Sequence, residues 1–273
     1  MKKVILITGA SSGMGKTTAQ QLIKEGHIVY TAARRIENMN DLKAQGGFPI
    51  QMDISKEEDI QKVVDTIIME QGKIDVLWNN AGYGLYGSVE DVPVAEARKQ
   101  FEVNLFGLAS LTQKVVPVMR RANSGTIINT SSMGGKMYTP LGAWYHATKH
   151  ALEGWSDCLR LELAQFNINV VILEPGVIAT EFGNVVDGPM NKYSGKGAYS
   201  KMVKSIAKTL ENSYNKPNNA SPASLIANTV SKIVKTERPK TRYRVGKMAK
   251  PLVWMRIYLG DRIFDKAVMS QVK

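Results

Sequence analysis

The chain has 273 residues, 44% of them hydrophobic and 22% charged, a composition that belongs to globular proteins and excludes a disordered chain. Its longest apolar runs are only a few residues, well short of the roughly 18 that suggest a bilayer span. A formal net charge of +12 leaves three anionic partners open, namely nucleic acid, a membrane surface or a polyphosphate cofactor.

The opening MKKVILITGASSG turns at once into a strand and a Gly-rich turn, so no signal peptide is expected. Short apolar strands are predicted over 4–7, 28–31, 48–52, 76–78, 125–130 and 169–173. Between them, amphipathic helices are predicted near 14–25, 35–44, 56–71, 94–120 and 143–165. This alternation is that of a parallel sheet flanked by helices, and no linker or internal repeat divides it, so one domain over 1–273 is expected. From 182 to 197 the pattern weakens into Asn, Gly, Asp and Pro and reads as a loop. A polar break over 215–222 precedes a helix for which Ser221 is the expected cap and Pro222 the expected start, and 242–245 reads as a last strand. Beyond 247 lies an apolar and basic tail containing Leu252, Trp254, Met255, Ile257, Tyr258, Ile263, Phe264 and Val268.

Basic residues crowd 235–250, but without zinc-finger spacing or an aromatic and basic strand repeat no specific nucleic-acid role is expected. Cys158 is the only cysteine, which precludes an intrachain disulfide and fits a reducing, cytoplasmic setting. His27, His146 and His150 form no compact cluster with Cys, Asp or Glu, so no metal site is expected.

Gly9, Ser11, Ser12, Gly13, Met14 and Gly15 follow the first strand and open a helix, the setting in which a Gly-rich turn acquires meaning. Glycines let the backbone reach a phosphate, and the helix amino terminus presents free N–H groups to it. A P-loop reading is poor: Gly15-Lys16-Thr17 supplies the ending, but position 10, where the P-loop spacing needs its first Gly, is Ala10. At the end of the second strand an NAD site places an acid on the ribose 2′-hydroxyl, whereas this chain has Arg34 and Arg35. A guanidinium holds a 2′-phosphate through charge-assisted bonds, so NADP (NADPH) is predicted, with Arg34 as the main clamp and Arg35 secondary. The plain alternative is two solvated residues at a helix start.

Tyr145 and Lys149 stand four apart on a predicted helix and share one face. A ketone that gains hydride becomes an alkoxide and needs a proton; a phenol supplies it, and a nearby ammonium stabilises the phenolate left behind. His146 and His150 each project about 100° away from their catalytic neighbour and are not expected on the reacting face.

The Gly-x-x-x-Gly-x-Gly spacing, then Asn79-Asn80-Ala81-Gly82, Asn104, Ser132, Tyr145-x-x-x-Lys149 and Pro175-Gly176, resembles the short-chain dehydrogenase/reductase family over at least 2–180. The resemblance implies a Rossmann-type, doubly wound parallel α/β sheet with helices on both faces. It implies that Ser132 binds the substrate oxygen, that Lys149 also bonds the nicotinamide ribose and that Asn104 completes a water-linked proton path. It assigns Asp53, followed by Ile54, to the adenine amino group, Asn79 to the adenine-side ribose, and the Ala81-Gly82 turn to close passage of the cofactor. It places Pro175, Gly176 and Val177 beside the nicotinamide and Thr180 on the carboxamide. Residue by residue, plainer readings stand beside these: Asp53 as a helix cap, 79–82 as a strand-ending turn, Asn104 as the partner of a helix irregularity, and Thr180 as a cap reinforced by Glu181.

An NADP(H)-dependent oxidoreductase interconverting a hydrophobic carbonyl compound and its alcohol is therefore expected, the alternative being an NADP(H)-sensing regulatory or scaffold protein. Met133, Met137, Tyr138, Trp144 and Val177 are candidates for an apolar pocket with 182–199 as its lid, within a substrate-loop region over 181–220. The C-terminal extension is similar to that of hydroxysteroid-dehydrogenase relatives. It has three uses to choose from: covering the cleft, packing on another subunit, or lying on a membrane, and Gly260 breaks its periodicity in a way that favours the first two. A homodimer or homotetramer through 101–120 and 145–165, with Trp155 and Cys158 as contact residues, is implied by the resemblance.

Overall fold

The computed structural model describes residues 1–215 and 218–272, so Lys216 and Pro217 of the expected polar break and Lys273 of the tail lie outside the described residues. Seven strands form one parallel sheet: β1 (Val4–Thr8), β2 (Ile28–Ala33), β3 (Phe48–Gln51), β4 (Val76–Asn79), β5 (Gly125–Thr130), β6 (Ile168–Pro175) and β7 (Arg242–Val245). Their order is β3-β2-β1-β4-β5-β6-β7, so the direction of winding reverses between β1 and β4. This is the Rossmann-type sheet, and such a reversal opens a crevice at the carboxyl ends of the strands.

Alternate residues of β1 serve opposite faces. Val4 and Leu6 pack with Ile60, Val63 and Ile67 of α3 (Glu57–Gln71) and with Leu111, Val115 and Met119 of a later helix, Gly107–Arg121. Ile5 and Ile7 pack on the other side, with Ala19 and Leu22 of α1 (Gly13–Lys24), Leu42 of α2 (Asn40–Ala44), and Ile226, Val230 and Ile233 of a helix spanning Ala223–Lys235. Both faces are thus dry, which is why the strands read as apolar runs rather than as alternations.

The helix predicted over 94–120 is interrupted. It forms α4 (Val94–Phe101), a π-helical turn over Glu102–Phe106, and α5 (Gly107–Arg121). α6 (Ala143–Leu163) follows β5. The expected loop over 182–197 is instead largely helical, α7 (Phe182–Ser194), followed by α8 (Ser200–Asn215). Gly, Asn and Pro189 lower its intrinsic propensity, but Phe182, Val186 and Met190 recur every fourth residue and pack with Val203 and Ile206 of α8. Tertiary burial overrides propensity there.

α9 (Ala223–Lys235) begins after Pro222, but Ser221 does not cap it. Its hydroxyl instead accepts the Lys247 N–H at 3.1 Å and ties the segment after β7 to the segment before α9. The tail folds into α10 (Ala249–Tyr258) and α11 (Gly260–Met269), broken at Gly260, whose φ is +73°. Part of the C-terminal positive charge is structural. Arg244 pairs with the fully buried Glu174 at 2.5 Å, and Arg242 bridges Glu153, Asp157 and Glu174, which pins β7 to β6 and α6.

Candidate active site

The Gly-rich turn leaves β1 at the crevice. Gly9 has φ +67°, and a Cβ on it would stand 2.8 Å from the Cα of Ala81, so the two turns touch backbone to backbone. The N–H groups of Asn80 and Ala81 donate to the Thr8 hydroxyl at 3.0 and 2.9 Å, and Asn80 Nδ2 donates to the Thr8 carbonyl at 3.1 Å. Gly13 has φ +52°, and a Cβ on it would stand 3.2 Å from Thr180 Cγ2, which puts Thr180 beside the turn. Ser11 and Ser12 are partly exposed at the start of α1, and the Ser12 side chain makes no cap bond. Gly15 is buried beneath the turn against Gly9, and Met14 lines a cavity together with Ser132, Tyr145 and Lys149.

Arg34 and Arg35 are exposed just beyond β2, and among the described residues neither forms a salt bridge. The Asp53 carboxylate accepts the Ser55 N–H and hydroxyl at 3.1 and 2.7 Å, as a turn-forming Asp does. Burial pushes its pKa up, but the Ser55 bonds and the charges of Arg34 and Lys56 outweigh that and hold it below the usual carboxylate value. Ile54 is buried in the sheet core.

Asn79 departs from the role the resemblance implies. Its side chain is buried, and Nδ2 donates to Thr112 Oγ1 at 3.0 Å and Asn129 Oδ1 at 2.9 Å, between β4, β5 and α5. Asn80 takes the position facing the Gly-rich turn, with Oδ1 buried and unpartnered. Strand alternation is the reason, because adjacent residues point to opposite sides and one is sent into the core.

Ser132, Tyr145 and Lys149 line one cavity of about 150 Å³ at the carboxyl ends of β4, β5 and β6. Ser132 follows β5 and accepts the Gly134 N–H at 3.0 Å, which fixes its rotamer in a short 3₁₀ turn. Burial pushes the pKa of the Tyr145 phenol up to about 12, against a smaller downward pull from the Ser132 hydroxyl. The Lys149 Nζ donates to the Thr130 carbonyl at 2.8 Å and sits 5.9 Å from the Tyr145 ring centre. Burial lowers its pKa to about 8, against the opposing pull of Glu153. Burial therefore outweighs the phenolate-stabilising effect expected of the Lys149 ammonium.

Asn104 lies in the π-helical turn. Its Oδ1 accepts the Tyr83 N–H at 3.0 Å, while Nδ2 donates to the Tyr83 carbonyl at 2.9 Å and to Thr148 Oγ1 at 3.2 Å. It thus clamps the turn after Gly82 to α6. The missing Cβ of Gly82 marks a point 3.1 Å from Asn104 Oδ1 and 3.7 Å from Lys149 Nζ, so the three groups share one small volume.

Pro175 and Gly176 line the same cavity; Val177 is buried beside it and pairs with Lys247. The Thr180 hydroxyl accepts the Phe182 N–H at 3.4 Å at the start of α7, and its side chain also lines the cavity. Of the expected pocket residues, Met133 and Met137 line it. Tyr138 instead packs against the tail, donating to Asp265 at 2.9 Å, and Trp144 is not part of the lining. Tyr86, Phe182 and Tyr214 supply the remaining aromatic wall. Phe182 belongs to the unforeseen helix α7, while Tyr86 and Tyr214 carry no local pattern that marks them.

His146 corrects an expectation. It lines the cavity beside Tyr145, with ring centroids 5.7 Å apart. The turn of about 100° per residue is right, but Gly134 and Gly142 leave room for the ring: a Cβ on either would lie within 2.8 Å of it. Nε2 accepts the Thr139 N–H at 3.1 Å, so Nδ1–H donates to the Gly134 carbonyl at 3.0 Å. Burial pulls the imidazole pKa down to about 4 and keeps it neutral. His146 thereby anchors the Ser132 turn to α6. His146→Gln is expected to lower stability by about 1 kcal/mol, read as a reduced urea midpoint, and to lower kcat severalfold without weakening cofactor binding.

A larger cleft of about 1160 Å³ opens at the opposite, amino-terminal end of the sheet, among Lys2, His27, Asp75 and Arg238. None of the expected catalytic residues lines it, and ligands of open α/β sheets bind at the carboxyl ends.

Residues 3–189 match the short chain dehydrogenase family. The chain is 37% identical over 252 residues to a 3-ketodihydrosphingosine reductase of Bacteroides thetaiotaomicron, covering 92% of this chain and 90% of that protein. An uncharacterised oxidoreductase of Escherichia coli is 30% identical over 275 residues, covering 99% and 95%. Among solved structures, a short-chain dehydrogenase from Streptomyces avermitilis superposes with a TM-score of 0.81 at 31% identity, covering 99% of both chains. The closed form of a serine dehydrogenase complexed with NADP+ gives 0.78 at 25% identity, covering 90% and 96%. With its Gly-rich turn, parallel sheet order and Tyr-x-x-x-Lys helix brought to one crevice, the chain belongs to the short-chain dehydrogenase family of NAD(P)H-dependent oxidoreductases.

Proposed function

We propose that this protein is an NADP(H)-dependent reductase of a hydrophobic ketone or aldehyde. The observation that carries the reading is the convergence of Ser132, Tyr145 and Lys149 on a cavity whose wall includes Met133, Met137, Tyr86, Phe182 and Tyr214, beside the polar Thr139, His146 and Thr180. The dinucleotide fits the residues present: a side chain at Gly9 would fill the cradle, and the buried Asn80 Oδ1 lacks a partner. Gly9 to Gly15 would hold its phosphates, Arg34 and Arg35 a 2′-phosphate, and Thr180 with Gly176 its nicotinamide end. When bound, the reduced nicotinamide supplies hydride.

The chain's own groups handle the oxygen. The Ser132 hydroxyl, held by the Gly134 N–H, donates to the carbonyl oxygen and fixes its position. Tyr145, protonated through the neutral range, delivers its proton as negative charge develops there. Lys149 balances the charge left on the phenol, and Asn104, by clamping Tyr83 to α6, keeps the cavity floor in place for reprotonation from solvent. The aromatic wall excludes water from the reacting atoms.

The substrate-loop region over 181–220, the tail over 247–273, one domain over 1–273, a homodimer or homotetramer and a cytoplasmic setting complete the proposal. Kinship with a 3-ketodihydrosphingosine reductase supports a long-chain ketone as one substrate class to try. The test is a screen of NADPH oxidation across long-chain ketones, aldehydes, steroids, retinoids and quinones. Turnover of an apolar carbonyl is expected; tight NADPH binding with no turnover of any class would favour the cofactor-sensing alternative.

A further inference from the structure

The two C-terminal helices have dissimilar faces. On the inner side, Val253 and Phe264 are fully buried with Met137 and pack beside Met133 and Tyr138. Met133 and Met137 also line the reaction cavity, so this inner face forms the outer layer of the cavity wall. The other side is apolar as well, yet open. Trp254, Ile257 and Tyr258 stand at i, i+3 and i+4 on α10 and are 55%, 53% and 70% exposed. Leu259 in the turn and Ile263 in α11 are exposed too, and the Trp254 and Tyr258 rings pair at 5.8 Å. Single exposed apolar residues need no explanation, but a contiguous stripe marks an interaction surface.

Charge identifies the occupant. Lys250, Arg262 and Lys266 are exposed on the same two helices, and among the described residues none forms a salt bridge. Arg256 is neutralised by Asp261 at 2.8 Å. A second copy docked through this face by two-fold symmetry would set these cations against themselves, on chains that each carry +12. An anionic lipid surface offers the complement, and indole and phenol rings with cationic side chains suit the headgroup boundary. α10 has 10 residues, and no helix of the described residues is long and apolar enough to cross a membrane, so the contact is interfacial.

We infer that the outer face of α10 and α11 docks this protein onto an anionic membrane surface. The docked face backs directly onto the Met133 and Met137 wall, which brings the cavity close to the lipid phase.

The test is co-sedimentation of the purified full-length protein with phosphatidylcholine vesicles, with and without phosphatidylglycerol. Binding to the anionic vesicles alone, weakening with salt, is expected. Lys250→Glu, Arg262→Glu and Lys266→Glu together are expected to weaken it by roughly a hundredfold or more. Trp254→Ser with Ile257→Ser is expected to abolish it, while turnover of a water-soluble carbonyl stays unchanged in both variants. In the unmodified protein, bromine-labelled lipids are expected to quench tryptophan emission, which reads the contact without any substitution. Absence of binding to anionic vesicles at low salt, equal binding by the charge-reversed variant, or no quenching overturns the inference. So does a smaller oligomer for Trp254→Ser with Ile257→Ser in light scattering without vesicle binding in the parent, which assigns the face to a second copy. Vesicle binding needs no turnover, so its failure stands apart from failure of the reductase reading.

Discussion

Tyr145→Phe is expected to lower kcat for carbonyl reduction by about 10²–10⁴-fold while NADPH still binds with near-parent affinity. The substitution removes one oxygen. It keeps the ring packed against Tyr86 and Phe182, whose centroids lie 5.9 and 5.4 Å away, so the cavity wall survives. What is lost is the proton donor beside Ser132. The measurement is single-turnover NADPH oxidation together with a fluorescence titration of cofactor. Near-parent turnover in a variant that binds NADPH would remove Tyr145 from the chemistry. The pH profile of the parent adds a second readout. Burial raises the Tyr145 pKa to about 12, so the phenol holds its proton across the working range. Burial lowers that of Lys149 to about 8, so its ammonium is present below that pH and lost above it. Reductive kcat/KM is accordingly expected to fall above about pH 8, and the limb belongs to Lys149 rather than to Tyr145.

The second large effect concerns the cofactor. Arg34→Ala is expected to reduce the preference for NADPH over NADH by roughly 10- to 100-fold, mainly through a higher KM for NADPH. Arg34 is exposed at the end of β2, and among the described residues no carboxylate pairs with it, so its guanidinium is available for a 2′-phosphate. Its charge also helps keep Asp53 ionised. Arg35→Ala is expected to have a smaller effect of the same sign. Ratios of kcat/KM for the two cofactors decide the matter, and an unchanged ratio in Arg34→Ala would overturn the NADP assignment. The two substitutions separate cleanly, because Tyr145→Phe acts on turnover with both cofactors alike.

Much of the framework was legible because it is encoded locally. The central strands are mostly short apolar runs bounded by turn residues, and β5 and β7 have the bounds that the pattern predicts. Ser132, Tyr145 and Lys149 were legible as candidates for a related reason: two share a helix face through the i, i+4 period, and the third, at the place the family resemblance implies, follows a strand that feeds the same crevice. Helix α7 was missed because its Gly, Asn and Pro content argues against a helix, while the stripe of Phe182, Val186 and Met190 that stabilises it needs α8 opposite. Helix geometry alone turns His146 away from its neighbour Tyr145, and it carries no information about the space that Gly134 and Gly142 leave open.

The amino-acid sequence by itself determined the parallel sheet, the Gly-rich turn and the i, i+4 pairing of Tyr145 with Lys149 as candidate reacting residues, since periodicity, turn chemistry and spacing act over a few neighbours. Only the tertiary structure decided which of Asn79 and Asn80 faces the cofactor turn, where His146 lies, and that the tail has one face on the cavity wall and another open. Burial and the resulting shifts of Tyr145 and Lys149 also belong to the tertiary structure, because desolvation depends on groups brought together from distant parts of the chain.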